Sequence, residues 1–471
     1  VNAKTLPSYI WYEDAAWNVS GSAINVIGKD IKVDNLTAVC ADQSVQVDGG
    51  YSSTTKDTLS VNLVKFDLGI LNKFLGENFG ISGLATGHAI ISSPWKSNAG
   101  LMMRLTSDST QVAGHRMGTL RLASSLDDNK MRVIARNDIN GITTFGVSGD
   151  YFLDRHTIDA TADFNGMDVG YIAPGLESVF SEMGGAMSGR VHARGPLGSL
   201  SLSSEGTTFD NVLLKVGFTN VPYYVNGPFS VTNQGLFFDD VTIKDRFDGT
   251  GTISGGLLFD HLKDFRLDTR IKMQGIEAID MTESDNQAFY GHLFASGDVL
   301  VKGPFDAVQL DVNVRTDKNG RIHIPIDNAS NDGKNDLLTF KQAFKEVYVD
   351  PYEAMMSNME RNRGKGSDFG IKLRVNATQG TEAYIEIDRA AGNVLNGHGQ
   401  GIIDIEARPG RDLFTINGDY TLRSGNFHFN AMDIAKRDFT ISDGSSIRFN
   451  GDVMDSDLDI KGIYSTTASV A

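Results

Sequence analysis

The chain has 471 residues, of which 51 are glycine, 10 are proline and one is cysteine. Its 43 basic and 59 acidic side chains give a formal net charge of −16 at pH 7, which lacks the basic footprint of a nucleic-acid-binding protein. The single cysteine excludes an internal disulfide framework. Abundant glycine with 40% hydrophobic residues favours many short strands joined by turns, and so predicts an all-β fold with minor helix.

Two short helices are predicted in the first half of the chain. In "DLGILNKFLG", Asp67 is placed to cap a helix that Gly76 ends. In "DVGYIAPGLESVFSEMGG", Asp168 takes the same role and Gly184 ends the helix.

A short motif recurs along the chain in the segments "ATGHAIISSPW", "MSGRVHARGPL" and "ASGDVLVKGPF". Each copy has a small hydroxyl residue or its equivalent, then glycine, alternating residues, and a proline seven positions after the glycine. Glycine inside a strand permits a bulge or a close backbone approach, and proline marks a strand end. The anchoring glycines are Gly87, Gly189 and Gly297, and a looser copy places Gly401 before Pro409.

This spacing predicts a repeated unit of about 105 residues. We therefore expect β-repeat units over residues 1–80, 81–184, 185–290 and 291–398, followed by a distinct C-terminal β region over residues 399–471. Both ends look like internal points of a longer protein, and any membrane anchor is expected outside this chain.

Residues 327–368 interrupt the strand pattern within the fourth unit. Their apolar residues recur at helical spacing, which predicts an amphipathic helical insertion. It is either a lid or partner-binding helix, or a helix hairpin packed on the edge of its own sheet. The residues of its apolar stripes are Phe340, Phe344, Tyr348, Met355, Met356 and Met359.

Strands in the last third of the chain alternate between apolar and polar side chains, so each has one apolar face. The apolar positions predicted to share one surface are Leu310, Val312, Val314, Ile371, Leu373, Val375, Ile385, Ile387, Ile403, Ile405, Phe414, Ile416, Phe427, Phe429, Phe439, Ile441, Ile447 and Phe449. Such a face needs a cover. Periodicity leaves two covers open: a second sheet, as in a sandwich, or a foreign molecule on an open curved sheet.

The sequence shows no pattern typical of catalysis. It has no phosphate-binding glycine loop before a helix, no His-Glu-x-x-His and no Gly-x-Ser-x-Gly turn, and its nine histidines are scattered singly. We expect a protein that is not an enzyme and that uses no cofactor and no metal site.

The segments "GDYTLRSGNFHF", "FTISDGSSIRFNGD" and "LDIKGIY" resemble the C-terminal region of the TamB group of AsmA-like bacterial envelope proteins. That region reads G-x-Y-x-L-x-x-G-x-F, then F-x-I-x-x-G-x-I-x-F-x-G, then L-D-I-x-A-x-Y. The matching residues are Gly418, Tyr420, Leu422, Gly425, Phe427, Phe439, Ile441, Gly444, Ile447, Phe449, Gly451, Leu458, Asp459, Ile460 and Tyr464.

The resemblance implies an elongated, twisted, mostly antiparallel sheet that curves into an open groove lined by apolar side chains. It implies a place in the periplasm of a Gram-negative bacterium, with an inner-membrane anchor that lies outside this chain. The implied partners are phospholipids, the membranes at both ends of the full-length protein, and an outer-membrane Omp85-type barrel like TamA. No nucleic acid is expected.

Three functions follow from these expectations. The first is a lipid conduit that shields acyl chains between the inner and outer membranes. The second is a chaperone that assists the insertion or secretion of outer-membrane β-barrel proteins, with β-augmentation as its physical basis. The third is a structural or adhesive β-repeat stalk in which the apolar residues bury one another.

Overall fold

The computed structural model describes residues 2–465, with gaps at residues 5, 13–14, 21–22, 29, 53–56, 73–79, 94–98, 113, 128, 174–175, 177–178, 197, 262, 287–288, 305–306, 326–368, 390, 409–412 and 432–434. The predicted insertion at 327–368, with all six residues of its apolar stripes, lies outside these described residues.

The described residues are nearly all in β-strands, which confirms the all-β class. The strands of the first half are β1 Asn2–Lys4, β2 Ser8–Tyr12, β3 Ala15–Ser20, β4 Ala23–Ile27, β5 Asp30–Cys40, β6 Gln43–Tyr51, β7 Thr58–Asp67, β8 Leu84–Ser92, β9 Gly100–Ser107, β10 Gln111–Val112, β11 His115–Arg116, β12 Thr119–Asp127, β13 Lys130–Ile139, β14 Ile142–Phe152, β15 Thr157–Asp168 and β16 Phe180–Pro196. The remaining strands are β17 Ser201–Val216, β18 Val221–Thr232, β19 Gly235–Lys244, β20 Thr250–Asp260, β21 Lys263–Met281, β22 Tyr290–Pro304, β23 Gln309–Thr316, β24 Gly320–Pro325, β25 Gly370–Ala377, β26 Thr381–Asp388, β27 Asn393–Arg408, β28 Leu413–Ala431, β29 Ala435–Ile441, β30 Ser445–Asp459 and β31 Gly462–Ile463.

The described helical elements include the 3-10 turns Leu68–Leu71 and Val169–Ile172. Asn72, which follows the first turn, is α-helical, and the predicted end of that helix at Gly76 lies outside the described residues. The predicted caps are correct, because Asp67 accepts the N–H of Gly69 and Asp168 accepts the N–H of Gly170, each at 2.8 Å. The predicted second helix does not extend to Gly184.

Strand β16 begins at Phe180 and replaces the end of that predicted helix. The N–H of Gly217 donates to the Val179 carbonyl at 2.9 Å, and the Ser181 hydroxyl donates to the Lys215 carbonyl at 3.4 Å. Pairing with a distant segment therefore overrides the local helical pattern. Among the described residues, no helix is long and apolar enough to cross a membrane.

The chain divides into two compact units. Unit 1 comprises Val1–Leu176, Gly184–Asp210 and Ser230–Asn233, and unit 2 comprises Glu177–Met183, Asn211–Phe229 and Gln234–Ala471. The five segments expected from the repeat spacing stay a prediction.

Unit 1 is built by successive antiparallel pairing. Strands β5 to β9 pair in chain order, β9 pairs with β12, and β12 to β16 again pair in chain order. Short hairpin connections suit this pattern because antiparallel neighbours need only a tight turn.

Unit 2 begins in the same way, with antiparallel pairing from β19 to β23. Parallel pairing then appears twice, between β23 and β25 and between β24 and β26. A parallel pair needs a long connection, and residues 326–368 lie between these strands in sequence. Strand β27 pairs antiparallel with both β25 and β26, and β28 pairs with β27, β29 and β30.

The small residue and glycine of the recurring sequence motif take part in one structural feature, which we call the capped bulge. At each of five positions, a residue with positive φ donates its backbone N–H to a side-chain oxygen on a neighbouring strand, at 2.7–3.2 Å. The acceptor residue directly precedes a glycine. The donor–acceptor pairs are Asn35–Asp48, Lys65–Thr86, Gly166–Ser188, Asn211–Asn226 and Gly275–Ser296.

The glycine after four of the five caps is needed for close packing, Gly227 being the exception. A Cβ on Gly297 would overlap the backbone of Asn313 and Val314 on the next strand, and its φ of 149° lies outside the range that side chains favour. Two of the four predicted strand ends are confirmed, because Pro196 and Pro304 are the last residues of β16 and β22. The other two, Pro94 and Pro409, lie outside the described residues. The 105-residue period itself stays a prediction, since capped bulges also occur before Gly49 and Gly227.

Candidate functional site

Unit 1 carries a straight row of small and aliphatic residues across ten strands. Each member lies directly opposite the next in the strand register, so all share one face of the sheet. The members, called the unit-1 row, are Ala38, Val45, Leu63, Gly87, Leu105, Leu122, Ala135, Val147, Ala162 and Val191.

All ten residues of the unit-1 row are half-buried, and none is fully buried. A residue at the centre of a closed two-sheet sandwich normally loses nearly all its exposure, because the second sheet packs on it. Each residue of the unit-1 row therefore keeps part of its surface exposed.

Unit 2 carries a matching row across eight strands, and here every member is aliphatic. The members, called the unit-2 row, are Val241, Ile253, Ile271, Val299, Val312, Leu373, Ile405 and Ile416. Its two ends, Val241 and Ile416, are buried, and the six residues between them are half-buried. The unit-2 row is therefore buried at its two end residues and partly exposed at the six positions between them.

The opposite face of the same strands is polar. A second register row there consists of Lys272, Asp298, Asn313, Arg374, Asp404 and Asn417. Arg374 makes two hydrogen bonds to the Asp404 carboxylate, at 2.7 and 3.1 Å. The Arg374 guanidinium lowers the pKa of that carboxyl, against a smaller opposing effect of burial. This face is a solvated surface of paired charges.

A compact core lies near the end of the unit-2 row. It is centred on Leu395, Leu422 and Ile447, each about fully buried, with Tyr420 and Phe449 beside them. Burial raises the pKa of Tyr420 to about 12, because the phenolate would lose its water. Strands β26 to β30 thus bury their apolar side chains against one another.

The comparisons with known proteins bear on this same part of the chain. Residues 239–470 match the family model described as the TamB C-terminal domain. The protein belongs to the TamB family. No curated protein and no solved structure matches the chain. TamB-family function lies in outer-membrane assembly and lipid transport, in association with outer-membrane proteins, and the family points to the cell envelope.

The TamB match contains the whole unit-2 row, and both lie in the part of unit 2 that begins near β19. The matched region begins at residue 239, well before the sequence motifs between Gly418 and Tyr464 that resemble the family. The unit-2 row is therefore a feature of the TamB C-terminal domain of this chain, together with the compact core that follows it.

The structure places the predicted surface residues of this TamB domain in three groups. The first group follows the unit-2 row and its neighbouring register rows: Leu310, Val312, Val314, Ile371, Leu373, Val375, Ile403, Ile405, Phe414 and Ile416. The second group packs in or against the compact core: Ile385, Ile387, Phe427, Ile441, Ile447 and Phe449. Four residues of the first group also contact this core, because Ile416 belongs to it and Ile403, Ile405 and Phe414 pack against it. The third is an aromatic line. The ring centroid of Phe439 lies 6.2 Å from that of Phe427 and 5.7 Å from that of Tyr464. The ring of Phe429, which is 39% exposed, has its centroid 6.1 Å from that of Phe427. A shared lipid-facing role for all three stays a prediction.

Several row members were missed by the sequence reasoning. Val241, Ile253, Ile271 and Val299 precede the region in which alternation was followed. The first three lie between polar or small residues in the same way, whereas Val299 is followed by Leu300. The unit-1 row was missed because alanine and glycine occupy four of its ten positions, which weakens the apolar signal.

The TamB domain also contains one buried charge network that no sequence pattern predicted. Glu277 has no exposed side-chain area and accepts two hydrogen bonds from Arg246, at 2.7 and 3.0 Å. His292 Nε2 lies 2.7 Å from the same carboxylate, and Arg246 also pairs with Asp280. The two carboxylates hold the pKa of Arg246 above its usual value. Glu277, Asp280 and His292 come close enough to bind one metal ion, but the Arg246 guanidinium already provides the positive charge.

Proposed function

We propose that this protein is a non-enzymatic lipid conduit of the periplasm, which shields acyl chains on the accessible rows of units 1 and 2. The observation that carries the proposal is the unit-2 row, in which six aligned aliphatic side chains stay half-buried inside a TamB domain. Its place within a family that acts in lipid transport and outer-membrane assembly supports the same function.

The energetics of such a surface suit a fatty acyl chain. Moving a methylene group out of water gains about 0.8 kcal/mol, so a chain of about sixteen carbons needs on the order of 10 kcal/mol of shelter. At about 4.8 Å between strands, the unit-2 row extends roughly 34 Å and the unit-1 row roughly 43 Å. Aliphatic rows of this length cover an acyl chain without requiring any specific polar contact.

The cellular setting is part of the proposal. The full-length protein is taken to be held by an inner-membrane anchor, to face membranes at both ends, and to pass phospholipid towards a TamA-like Omp85 barrel. The charged rear face fits this setting, because a solvated surface of ion pairs keeps an extended apolar surface in solution.

The test uses two substitutions on adjacent residues of β23. Val312→Asp places a charge on the unit-2 row, whereas Asn313→Asp places the same charge on the polar face. The detergent-free protein is purified from a Gram-negative host and examined by native mass spectrometry and lipid extraction. We expect co-purified phospholipid in the parent protein and in Asn313→Asp, and its loss in a folded Val312→Asp.

Other outcomes favour the alternative functions. A lipid-free parent protein that unfolds when Val312 becomes Asp would mean a closed core and a structural stalk. Crosslinking to nascent barrel strands in place of lipid would mean an assembly chaperone. Circular dichroism of both variants separates loss of lipid from loss of fold.

A further inference from the structure

We propose that Glu386, on strand β26 of unit 2, provides the anionic ligand of a buried site for a small hard cation. This site lies on the opposite face of β26 from Ile385, which packs in the compact core. It is therefore separate from the unit-2 row and independent of the proposed lipid conduit.

The carboxylate of Glu386 is unevenly satisfied. Its Oε1 accepts a hydrogen bond from the Tyr290 hydroxyl at 2.7 Å, and His323 Nδ1 lies 2.8 Å from the same oxygen. Its Oε2 is buried and has no hydrogen-bond partner among the residues that the structure describes, although Glu386 is only 7% exposed. A buried carboxylate oxygen without a partner is costly, so a positively charged ligand is the expected complement.

The neighbouring carboxylates already have permanent cations. Glu382 pairs with Arg321 at 3.7 Å, and Glu283 pairs with Arg389 at 2.8 Å. Glu386 has only the imidazole of His323 as an ion-pair contact in the described part of the chain. Burial, followed by the nearby carboxylate of Glu386, raises the pKa of Tyr290, which agrees with a negative local potential.

A second acceptor lies close to Glu386. The Oδ1 of Asn396 is also buried without a partner among the described residues, while its Nδ2 donates to Glu382 at 3.0 Å and so fixes the orientation of the amide. Asn396 lies opposite Tyr384 in the β26–β27 register, which makes it a diagonal neighbour of Glu386. Diagonal neighbours lie roughly 7–8 Å apart, within the reach of two side chains that share one ion.

The donor atoms decide the class of cation. One carboxylate oxygen and one amide oxygen are ligands that Ca²⁺ and Mg²⁺ prefer, with water in the remaining positions. The buried Glu277 shows the contrast, because Arg246 contacts both of its oxygens and leaves no position for an ion. Among the residues of this domain that the structure describes, Glu386 is the buried carboxylate with an oxygen free to bind one.

The aromatic residues around the site make a direct assay possible. Tyr290, His323 and Tyr384 stack across three strands, with ring centroids 4.6 and 4.5 Å apart. Tb³⁺ is an oxygen-seeking probe for Ca²⁺ sites, and its emission rises when an excited tyrosine lies next to it. We expect tyrosine-sensitised Tb³⁺ emission from the full chain, displaced by Ca²⁺ or Mg²⁺.

The variants separate this site from the many surface carboxylates. Glu386→Gln is expected to abolish the saturable Tb³⁺ emission at the lowest Tb³⁺ concentrations, and Tyr290→Phe to reduce it at least twofold. Glu283→Gln is the matched control, because Glu283 is a nearby carboxylate that is already paired with Arg389; its emission should equal that of the parent protein.

Thermal unfolding gives a second readout. Ca²⁺ should raise the melting temperature of the parent protein by several degrees over that in chelator, and should leave Glu386→Gln unchanged. In chelator, Glu386→Gln should be at least as stable as the parent, since the amide still accepts on Oε1 and removes a buried charge. Equal Tb³⁺ emission from Glu386→Gln and the parent protein would overturn the proposal. A parent protein that is insensitive to Ca²⁺ and Mg²⁺ in both assays would also overturn it, and would mean that only an ordered water binds Glu386 Oε2.

Discussion

The backbone N–H of Gly275 donates to the hydroxyl of Ser296 at 2.8 Å, where β21 holds extra residues opposite β22. The same hydroxyl donates to the Asp317 carboxylate, just past the end of β23. One side chain thus links β21 and β22 with the residue that follows β23. A bulge increases local twist and bends its strand, so we expect the strands to bend at the repeated caps.

The cap at Ser296 should contribute measurably to stability. Ser296→Ala leaves the Gly275 N–H without its acceptor, and we expect a loss of about 1–3 kcal/mol in the free energy of unfolding. Ser296→Thr should retain most of the stability, because threonine keeps the hydroxyl and is the native cap at Thr86. Urea denaturation followed by fluorescence measures both, and equal losses in the two variants would show that the hydroxyl is not the cause.

The compact core and the unit-2 row should respond differently to truncation. Leu422 is 1% exposed, so Leu422→Ala should cost about 2–5 kcal/mol of stability. Leu373 is half-buried on the accessible row, and Leu373→Ala should cost less, about 1 kcal/mol. Chemical denaturation of both variants gives the comparison. A Leu373→Ala cost as large as that of Leu422→Ala would mean that a closed core covers the row.

The buried charge of Glu277 should depend on Arg246. Arg246→Ala leaves a buried carboxylate without its main partner, and we expect a loss of about 3 kcal/mol. The double variant Arg246→Met with Glu277→Gln should recover much of that loss, since it removes both charges. Arg448→Ala is the control, because its pair with Asp419 is exposed and should contribute under about 1 kcal/mol. A double variant no more stable than Arg246→Ala would contradict this account.

Asp150 should make the stability of the protein depend on acid. Hydrogen bonding from Arg132, against a smaller effect of burial, lowers the pKa of Asp150 to about 2, and Lys130 adds to the shift. The folded carboxyl is thus more acidic than an unfolded aspartate, whose pKa is about 3.9. Its stabilising contribution is therefore present above about pH 4 and is lost as the pH falls towards 2.

Comparison of Asp150→Asn with the parent protein tests this direction. The parent should be more stable at pH 6, by on the order of 1–2 kcal/mol, and the difference should shrink as the pH falls from 4 to 2. A constant difference between Asp150→Asn and the parent across this range would rule out the carboxylate as its source.

Local features of the fold were predictable because they depend on neighbouring residues. Alternation assigned Val312 and Leu373 to the apolar face, and Asp67 and Asp168 were predicted as caps from their position before an apolar turn. The hydroxyl–glycine pair at Ser296 and Gly297 marked a bulge site. The family resemblance between Gly418 and Tyr464 was likewise visible in the sequence, since side-chain spacing carries it directly.

Features that depend on distant partners could not be predicted in the same way. The helical pattern before Gly184 was overridden by backbone pairing with the segment near Lys215. Glu277 can be buried as a carboxylate because Arg246, 31 residues away in sequence, donates two hydrogen bonds to it. The parallel pairing of Val312 with Leu373 joins segments separated by a long connection.

The sequence by itself therefore determined the strand class, the apolar and polar faces and three of the five bulge positions, because these follow from backbone geometry over a few residues. Only the tertiary structure decided which apolar residues are covered. Leu422 and Ile447 are buried in the compact core, whereas Val312 and Leu373 stay partly exposed. The burial of each side chain depends on the strand register and on which distant residues pack against it.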